Sequence, residues 1–257
     1  LNIPTDYESL FRDRLLIITG VGRSGTTILG KLIGSMSPVY YLFEPAIFKY
    51  HDEPDLGVLF EDYFLPLVQG RNLNPNKKDD SWYGHYYSEK DIRWAHENLS
   101  SRKSALDYVR EVRPLFVVKS NDRVEFPKHT KVLVIFRETT DVIKSSIAKG
   151  WYSDEYMESI IELVNEGVPH YIDQKDIDLW PKWDQNRRCV CVVNTIQHKL
   201  FCNLDPVVNI LTYYSALCDE PQEMADYLAM VYKISQTAIT RKHIRAIKKH
   251  KPTKYSQ

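Results

Sequence analysis

Short, uninterrupted apolar runs punctuate this chain, and segments of helical patterning lie between them. Leu15 to Thr19 (LLIIT) is closed by Gly20, and Val39 to Phe43 (VYYLF) is stopped by Glu44-Pro45. Leu115 to Lys119 (LFVVK), Lys131 to Phe136 (KVLVIF) and Val207 to Tyr213 (VVNILTY) follow. Runs without apolar–polar alternation are buried on both faces, which suits a parallel sheet between helices. From Thr26 to Ser35, Ile28, Leu29, Leu32 and Ile33 recur at helical spacing. Strands separated by helices predict βαβ units. The expected fold is α/β: a single three-layer domain with a central, mainly parallel sheet of about five strands.

Two long stretches lack strand patterning, at about 51–114 and 151–188, and both are rich in aromatics. The first holds Trp82, Tyr83, Tyr86, Tyr87 and Trp94; the second holds Trp151, Tyr152, Tyr156, Tyr171, Trp180 and Trp183. They read as helical insertions in one domain spanning 1–257. They serve either as cover packed on the sheet or as a substrate wall at the carboxyl ends of the strands, where open α/β sheets bind ligands. The end of the chain, from Thr240 to Gln257, carries seven Lys or Arg and no acid. Such a run is most often a solvated helix face.

Charge narrows the function. The 257 residues hold 34 Lys+Arg against 34 Asp+Glu, so no positive excess exists for a broad nucleic-acid surface, and any anion site is local. No apolar run approaches the ~18–20 residues of a bilayer span, and no signal peptide is visible. The expectation is a cytoplasmic protein with no membrane span. Cys189, Cys191, Cys202 and Cys218 form no C-x-x-C pair and read as reduced thiols. The histidines show no ligand spacing, so no metal site is expected.

The strongest local signal is GVGRSGTT, Gly20 to Thr27, between a strand and a helix. Glycines permit a tight turn and close approach of a ligand to the backbone. The amides of the first helical turn have no internal acceptor and, with the helix dipole, make an anion site. Ser24, Thr26 and Thr27 add hydroxyls, and Arg23 adds a guanidinium fork. Gly20 and Gly25 nearly fit the P-loop spacing G-x-x-x-x-G-K-[ST], so a P-loop-like site for a phosphate-type ligand is expected. Thr26, however, stands where a nucleotide triphosphatase has its lysine. A plain capped turn is the other reading, though plain turns seldom gather so many donors.

A second anion site is suggested where KVLVIF ends in Arg137, with Ser145 eight residues on. A Mg²⁺-dependent enzyme favours an acid at that strand end. Thr140 and Asp141 are expected to cap the helix between. Arg137 and Ser145 then converge on one anion, or Arg137 pairs with Glu138 or Asp141.

With both motifs in view, the chain resembles the sulfotransferases that use 3′-phosphoadenosine 5′-phosphosulfate (PAPS), closest to carbohydrate-type and bacterial members. Gly22-Arg23-Ser24-Gly25-Thr26-Thr27 is similar to their 5′-phosphosulfate loop, and Arg137 with Ser145 to their 3′-phosphate motif. Thr139 stands where many members have proline. Val39 to Phe48 and Thr212 to Ala229 resemble further family segments. The resemblance implies metal-free sulfuryl transfer from PAPS, leaving 3′-phosphoadenosine 5′-phosphate (PAP). The acceptor hydroxyl or amine would belong to a small molecule, natural product or saccharide. It implies that Gly22, Arg23, Ser24, Gly25, Thr26, Thr27, Arg137 and Ser145 bind the nucleotide. Cytosolic members place a histidine base after a strand in a K-T-H context; here the stretch is Lys119-Ser120-Asn121, which removes that base. The resemblance to carbohydrate and tyrosylprotein-type members makes Glu44 the candidate base, with a turn carboxylate as its bland alternative. Lys119 either assists at the sulfonyl oxygens or is a solvated strand-end lysine. The competing functions are an atypical P-loop kinase or triphosphatase, and a non-catalytic nucleotide-binding relative.

Overall fold

A computed structural model describes residues 5–45, 47–48, 54–71, 89–165, 172–205 and 209–249. The strands are β1 (Leu15–Thr19), β2 (Val39–Phe43), β3 (Leu115–Lys119), β4 (Lys131–Phe136) and β5 (Ile210–Tyr213). Among the described residues they form one sheet in the order β2-β3-β1-β4-β5, every pair parallel. The bounds of β1 to β4 coincide with the apolar runs. β5 begins later than the run that predicted it, and residues 206–208 lie outside the described part. It also departs from the expected burial: Thr212 is buried, but Leu211 and Tyr213 are exposed. β5 is an edge strand, but the other edge strand, β2, is buried over most of its length, so the difference lies in how each edge is covered among the described residues.

Twelve helices are named here in chain order. They are α1 (Thr5–Arg14), α2 (Thr26–Gly34), α3 (56–68, with a π-helical stretch at Leu59–Phe64), α4 (Glu89–Asn98), α5 (Arg102–Val112) and α6 (Thr139–Ile147). They continue with α7 (Asp154–Asn165), α8 (Gln174–Ile177), α9 (Gln185–Asn203), α10 (Tyr214–Asp219), α11 (Pro221–Tyr232) and α12 (Ala238–Lys249). The period-2 geometry of a strand sends Leu15 and Ile17 to one face of the sheet and Leu16 and Ile18 to the other. Ile17 lies between Val118 and Val132 in register, so these side chains share a face. That face is covered by α1, α3 and α5 at one end and by α6 and α9 at the other. The opposite face, with Ile18, Val117 and Leu133, packs on α2, α11 and α12. This gives the expected three layers.

Aromatic rings meet where α1 and α3 pack on the sheet: the Phe116 ring lies 5.2 Å from Phe11 and 5.0 Å from Phe64, both edge-on. Such pairs add to the area they bury. Both strand-free stretches are helical where described. Trp180 is core, at 1% exposure, whereas Trp94 is 49% exposed. Trp82, Tyr83, Tyr86, Tyr87 and Tyr171 lie outside the described residues. On α12, Ile244 and Ile247 are buried while Arg241, Lys242, Arg245 and Lys248 are exposed, the solvated-face reading of the basic run. Lys251 and Lys254 fall outside. Cys189 and Cys218 are buried and all four cysteines are free thiols.

Strand order decides where a ligand can sit. From β1 the chain goes to the β2 edge, steps back to β3, and crosses to β4 on the far side of β1. The loops leaving β1, β3 and β4 therefore diverge at the same end of the sheet, the crevice at a topological switch point.

Ile17 has no exposed surface and sits mid-sheet. Ile17→Ala is expected to destabilise the protein by about 2–5 kcal/mol, seen as a lower urea midpoint at unchanged slope.

Candidate functional site

Five segments supply the site: the Gly20–Gly25 loop after β1, the end of β2, the end of β3, the end of β4, and α6. In the loop, Arg23 (φ 73°) and Gly25 (φ 106°) take left-handed backbone conformations. At Gly25 this is built in, because a Cβ would meet Tyr214 Cδ2 at 2.4 Å. At Gly22 the constraint is close approach: a Cβ would lie 2.4 Å from the Trp151 ring. The Ser24 amide donates to the Val21 carbonyl (2.9 Å) and the Gly22 amide to Asp122 Oδ1 (2.7 Å). The amides of Gly25, Thr26 and Thr27 take no protein acceptor among the described residues. They are the orphan donors of a helix start.

Arg23 is exposed, Thr27 half-buried, and Ser24 buried with no partner for its hydroxyl. Arg23 Nε donates to Ser145 Oγ at 3.0 Å, and its guanidinium lies 6.0 Å from the Trp151 ring. Arg137 Nη1 donates to the Arg23 carbonyl at 3.3 Å, and the Arg137 guanidinium lies 4.8 Å over the Tyr214 ring. Arg23, Arg137 and Ser145 thus meet, but Ser145 bonds Arg23 rather than Arg137. Arg137 also pairs with Asp141 at 3.8 Å, one of the alternatives the sequence left open. Helix α6 begins at Thr139 and its N-cap, Glu138, makes no side-chain cap bond. The expected capping by Thr140 and Asp141 is therefore wrong: both lie inside the first turn, and the Asp141 carboxylate faces Arg137 instead.

A second group lies beside the loop. Glu44 follows β2 with φ 48°, and its amide donates to the Lys119 carbonyl at 2.7 Å. Glu44 Oε1 accepts from Lys119 Nζ and from Asn121 Nδ2 (2.7 Å). Asn121 Oδ1 accepts from the Thr26 hydroxyl at 2.6 Å. A continuous chain therefore links Glu44 through Asn121 to the first residue of α2. Lys119 is 1% exposed, so it is not the solvated lysine the sequence allowed. Burial pulls its pKa down, opposed by the charge and hydrogen bond of Glu44 and by Asp122. Burial also raises the Asp122 carboxyl to about 6, against the Gly22 amide and Lys119, which lower it; Glu44 adds to the rise.

Sequence reasoning missed three participants. Asn121 was set aside as a lost histidine, yet it bridges Glu44 and Thr26. Asp122 carried no motif, and Tyr214 lay in the Thr212–Ala229 segment, noted only for its resemblance to a family segment. Their signal is positional: each directly follows the carboxyl end of a strand, or nearly so. Trp151 was named only as part of an aromatic cover, whereas it lies against Gly22.

The arrangement can hold a multiply charged anion. The loop amides, two guanidiniums and the Ser and Thr hydroxyls supply donors at the mouth of the loop, with the Asp122, Asp141 and Glu44 carboxyls set around them. Ser24 Oγ and Arg137 Nε are buried polar atoms without protein partners. No group of three or more His, Cys, Asp or Glu able to hold a metal ion occurs among the described residues. No described helix is long and apolar enough to cross a membrane.

No family model matches the chain, and no curated protein matches it. Among solved structures it is similar to the sulfotransferase domain from the curacin biosynthetic pathway, at 15% identity and TM-score 0.46, covering 88% of this chain and 75% of that one. It is similar to the sulfotransferase domain of the Synechococcus PCC 7002 olefin synthase, at 12% identity and TM-score 0.48, with the same coverage of 88% and 75%. It is also similar to a sulfotransferase from Alicyclobacillus acidocaldarius, at 14% identity and TM-score 0.42, covering 90% and 89%.

Gly25→Ala combines a left-handed backbone with a clash against Tyr214. It is expected to cost about 1–3 kcal/mol of stability. It should also abolish the upward shift in unfolding temperature that pyrophosphate gives the unaltered protein; a retained shift would place the anion elsewhere.

Proposed function

We propose that this chain is a PAPS-dependent sulfotransferase acting on a hydroxyl or amine of a small molecule, natural product or saccharide. One observation carries the reading. Two arginines from different strand ends meet at the mouth of a glycine loop whose helix-start amides are unengaged, while a carboxylate stands at the next strand end. PAPS supplies the sulfuryl group and a phosphate leaving group.

The residues divide into two sets. Arg23, Ser24, Gly25, Thr26, Thr27 and the Gly22 backbone hold the 5′ end of the nucleotide, and Arg23 offsets charge on the leaving oxygen. Arg137 and Ser145 hold the 3′-phosphate, with Tyr214 bracing the Arg137 guanidinium. Ser145 and Arg23 exchange their mutual bond for bonds to the nucleotide. Glu44 accepts the proton of the acceptor group. Asn121 keeps the Glu44 carboxylate oriented toward the loop. Lys119, buried beneath Glu44, steadies the carboxylate's charge and is within reach of developing charge on the sulfonyl oxygens. The role needs the charged ammonium, which the Glu44 carboxylate favours against the burial that pulls its pKa down.

A kinase or triphosphatase is the second reading. The residues argue against it: Thr26 replaces the loop lysine, and Arg137 ends the strand where Mg²⁺ chemistry favours an acid.

Calorimetry with PAP against ATP plus Mg²⁺ tests the choice; PAP alone should bind tightly. Glu44→Gln should lower turnover about 10²–10⁴-fold and leave PAP affinity nearly unchanged. Unchanged turnover removes Glu44 as the base. Arg137→Ala should weaken PAP about 10–100-fold but adenosine 5′-phosphosulfate far less, because only PAP carries the 3′-phosphate. Equal losses contradict the assignment.

A further inference from the structure

Asp122 touches the phosphate loop twice. Its amide donates to the Gly20 carbonyl at 3.0 Å, and its Oδ1 accepts from the Gly22 amide at 2.7 Å. The two bonds straddle Val21, so one residue of the β3–β4 connection grips the loop immediately before Arg23. Asp122 itself has φ 56°, a conformation that Asp tolerates better than most residues. Its Oδ2 lies 3.4 Å from the place a Gly22 Cβ would take, so the carboxyl stands against the loop's inner turn. A carboxyl against the loop is unexpected, because the loop amides, Arg23, Arg137 and the hydroxyls it borders favour an anion.

We propose that Asp122 is a positioning residue that sets the shape of the glycine loop, and that nucleotide binding is coupled to a proton on its carboxyl. The inference rests on the PAPS reading above. The groups facing this carboxyl are Lys119 at the end of β3, Glu44 after β2, Tyr152 at the corner before α7, Tyr156 on α7, and the Gly22 amide. Lys119 is the one cation among them, and Glu44 already engages it. An incoming polyanion adds negative charge next to a carboxyl that burial has already raised to about 6. Charge repulsion then raises it further, and a proton is taken up on binding. The protonated acid keeps an oxygen free to accept from Gly22, so the loop retains its grip while the like charge is removed. Affinity consequently falls as pH rises through and above this range.

The test compares Asp122→Asn with Asp122→Ala. Asn keeps an acceptor for the Gly22 amide and cannot ionise; Ala loses the acceptor. PAP titrations at about pH 7 in buffers of different ionisation enthalpy should show a larger net proton uptake for the unaltered protein than for Asp122→Asn, the titration of the PAP phosphates being common to both. Asp122→Asn should also bind PAP at about pH 8 at least as tightly as the unaltered protein, whereas Asp122→Ala should bind about tenfold more weakly across the range. Undiminished proton uptake in Asp122→Asn, or unchanged affinity in Asp122→Ala, overturns the proposal.

A nucleotide-free measurement separates this from failure of the functional reading. A carboxyl whose folded pKa lies above its unfolded value stabilises the fold fully below the unfolded pKa, and this is lost as pH rises through about 6. The unfolding-temperature difference, unaltered protein minus Asp122→Asn, should therefore shrink between about pH 4 and 7. A constant difference overturns the proposal whatever PAP does. A shrinking difference in a protein that binds no PAP at any pH supports the titrating clamp but overturns the nucleotide coupling and the PAPS reading together.

Discussion

Parallel pairing of β1 with both β3 and β4 is the constraint on which everything else depends. Parallel strands point their carboxyl ends the same way, and these three lie side by side in register. The glycine loop, Lys119 and Arg137 are therefore delivered to one edge of one sheet by residues that never touch a ligand. Leu15 to Ile18 have no exposed surface, so the register is fixed by burial on both faces. A slip of one residue would send the whole set of buried side chains to the wrong layers and move Arg137 away from the loop.

The site built on that edge has two halves with different electrostatics. At the α6 side are guanidiniums and hydroxyls, with Asp141 the nearest counter-charge. At the β2 side, a buried ammonium and two carboxyls share a confined space. Thr26 and Asn121 join the halves through neutral hydrogen bonds, which pass orientation without passing charge. This division suits a reaction in which one half binds a highly charged donor and the other handles a proton.

Much of this was legible in the sequence. Four strands could be bounded to the residue because β1 to β4, including the edge strand β2 buried over most of its length, are apolar throughout and end at Gly20, Glu44, Lys119 and Arg137, where chemistry replaces packing. β5 was harder: this edge strand is weakly covered, and its pattern blurs into the preceding segment. Arg23, Arg137 and Ser145 were found because their spacing is a motif. Their pairing was not, since whether Ser145 bonds Arg23 or Arg137 depends on the relative height of two loops. Asn121 and Asp122 were invisible for a related reason. Their partners, Thr26 and Gly22, are distant in sequence, and only the β1–β3 register brings them into contact. The burial of Lys119 was likewise hidden, because a lysine at a strand end looks the same whether solvent or Glu44 receives it.

The contact of Arg137 with the Arg23 main chain places two like charges at the rim of a molecule that is neutral as a whole. Such a rim acts at short range, within the Debye length of about 8–10 Å at ordinary ionic strength. Long-distance steering is weak for a neutral particle, so capture depends on the last few ångströms of approach. Added electrolyte would then slow the arrival of a polyanion modestly, while its departure would be governed by the contacts inside the loop.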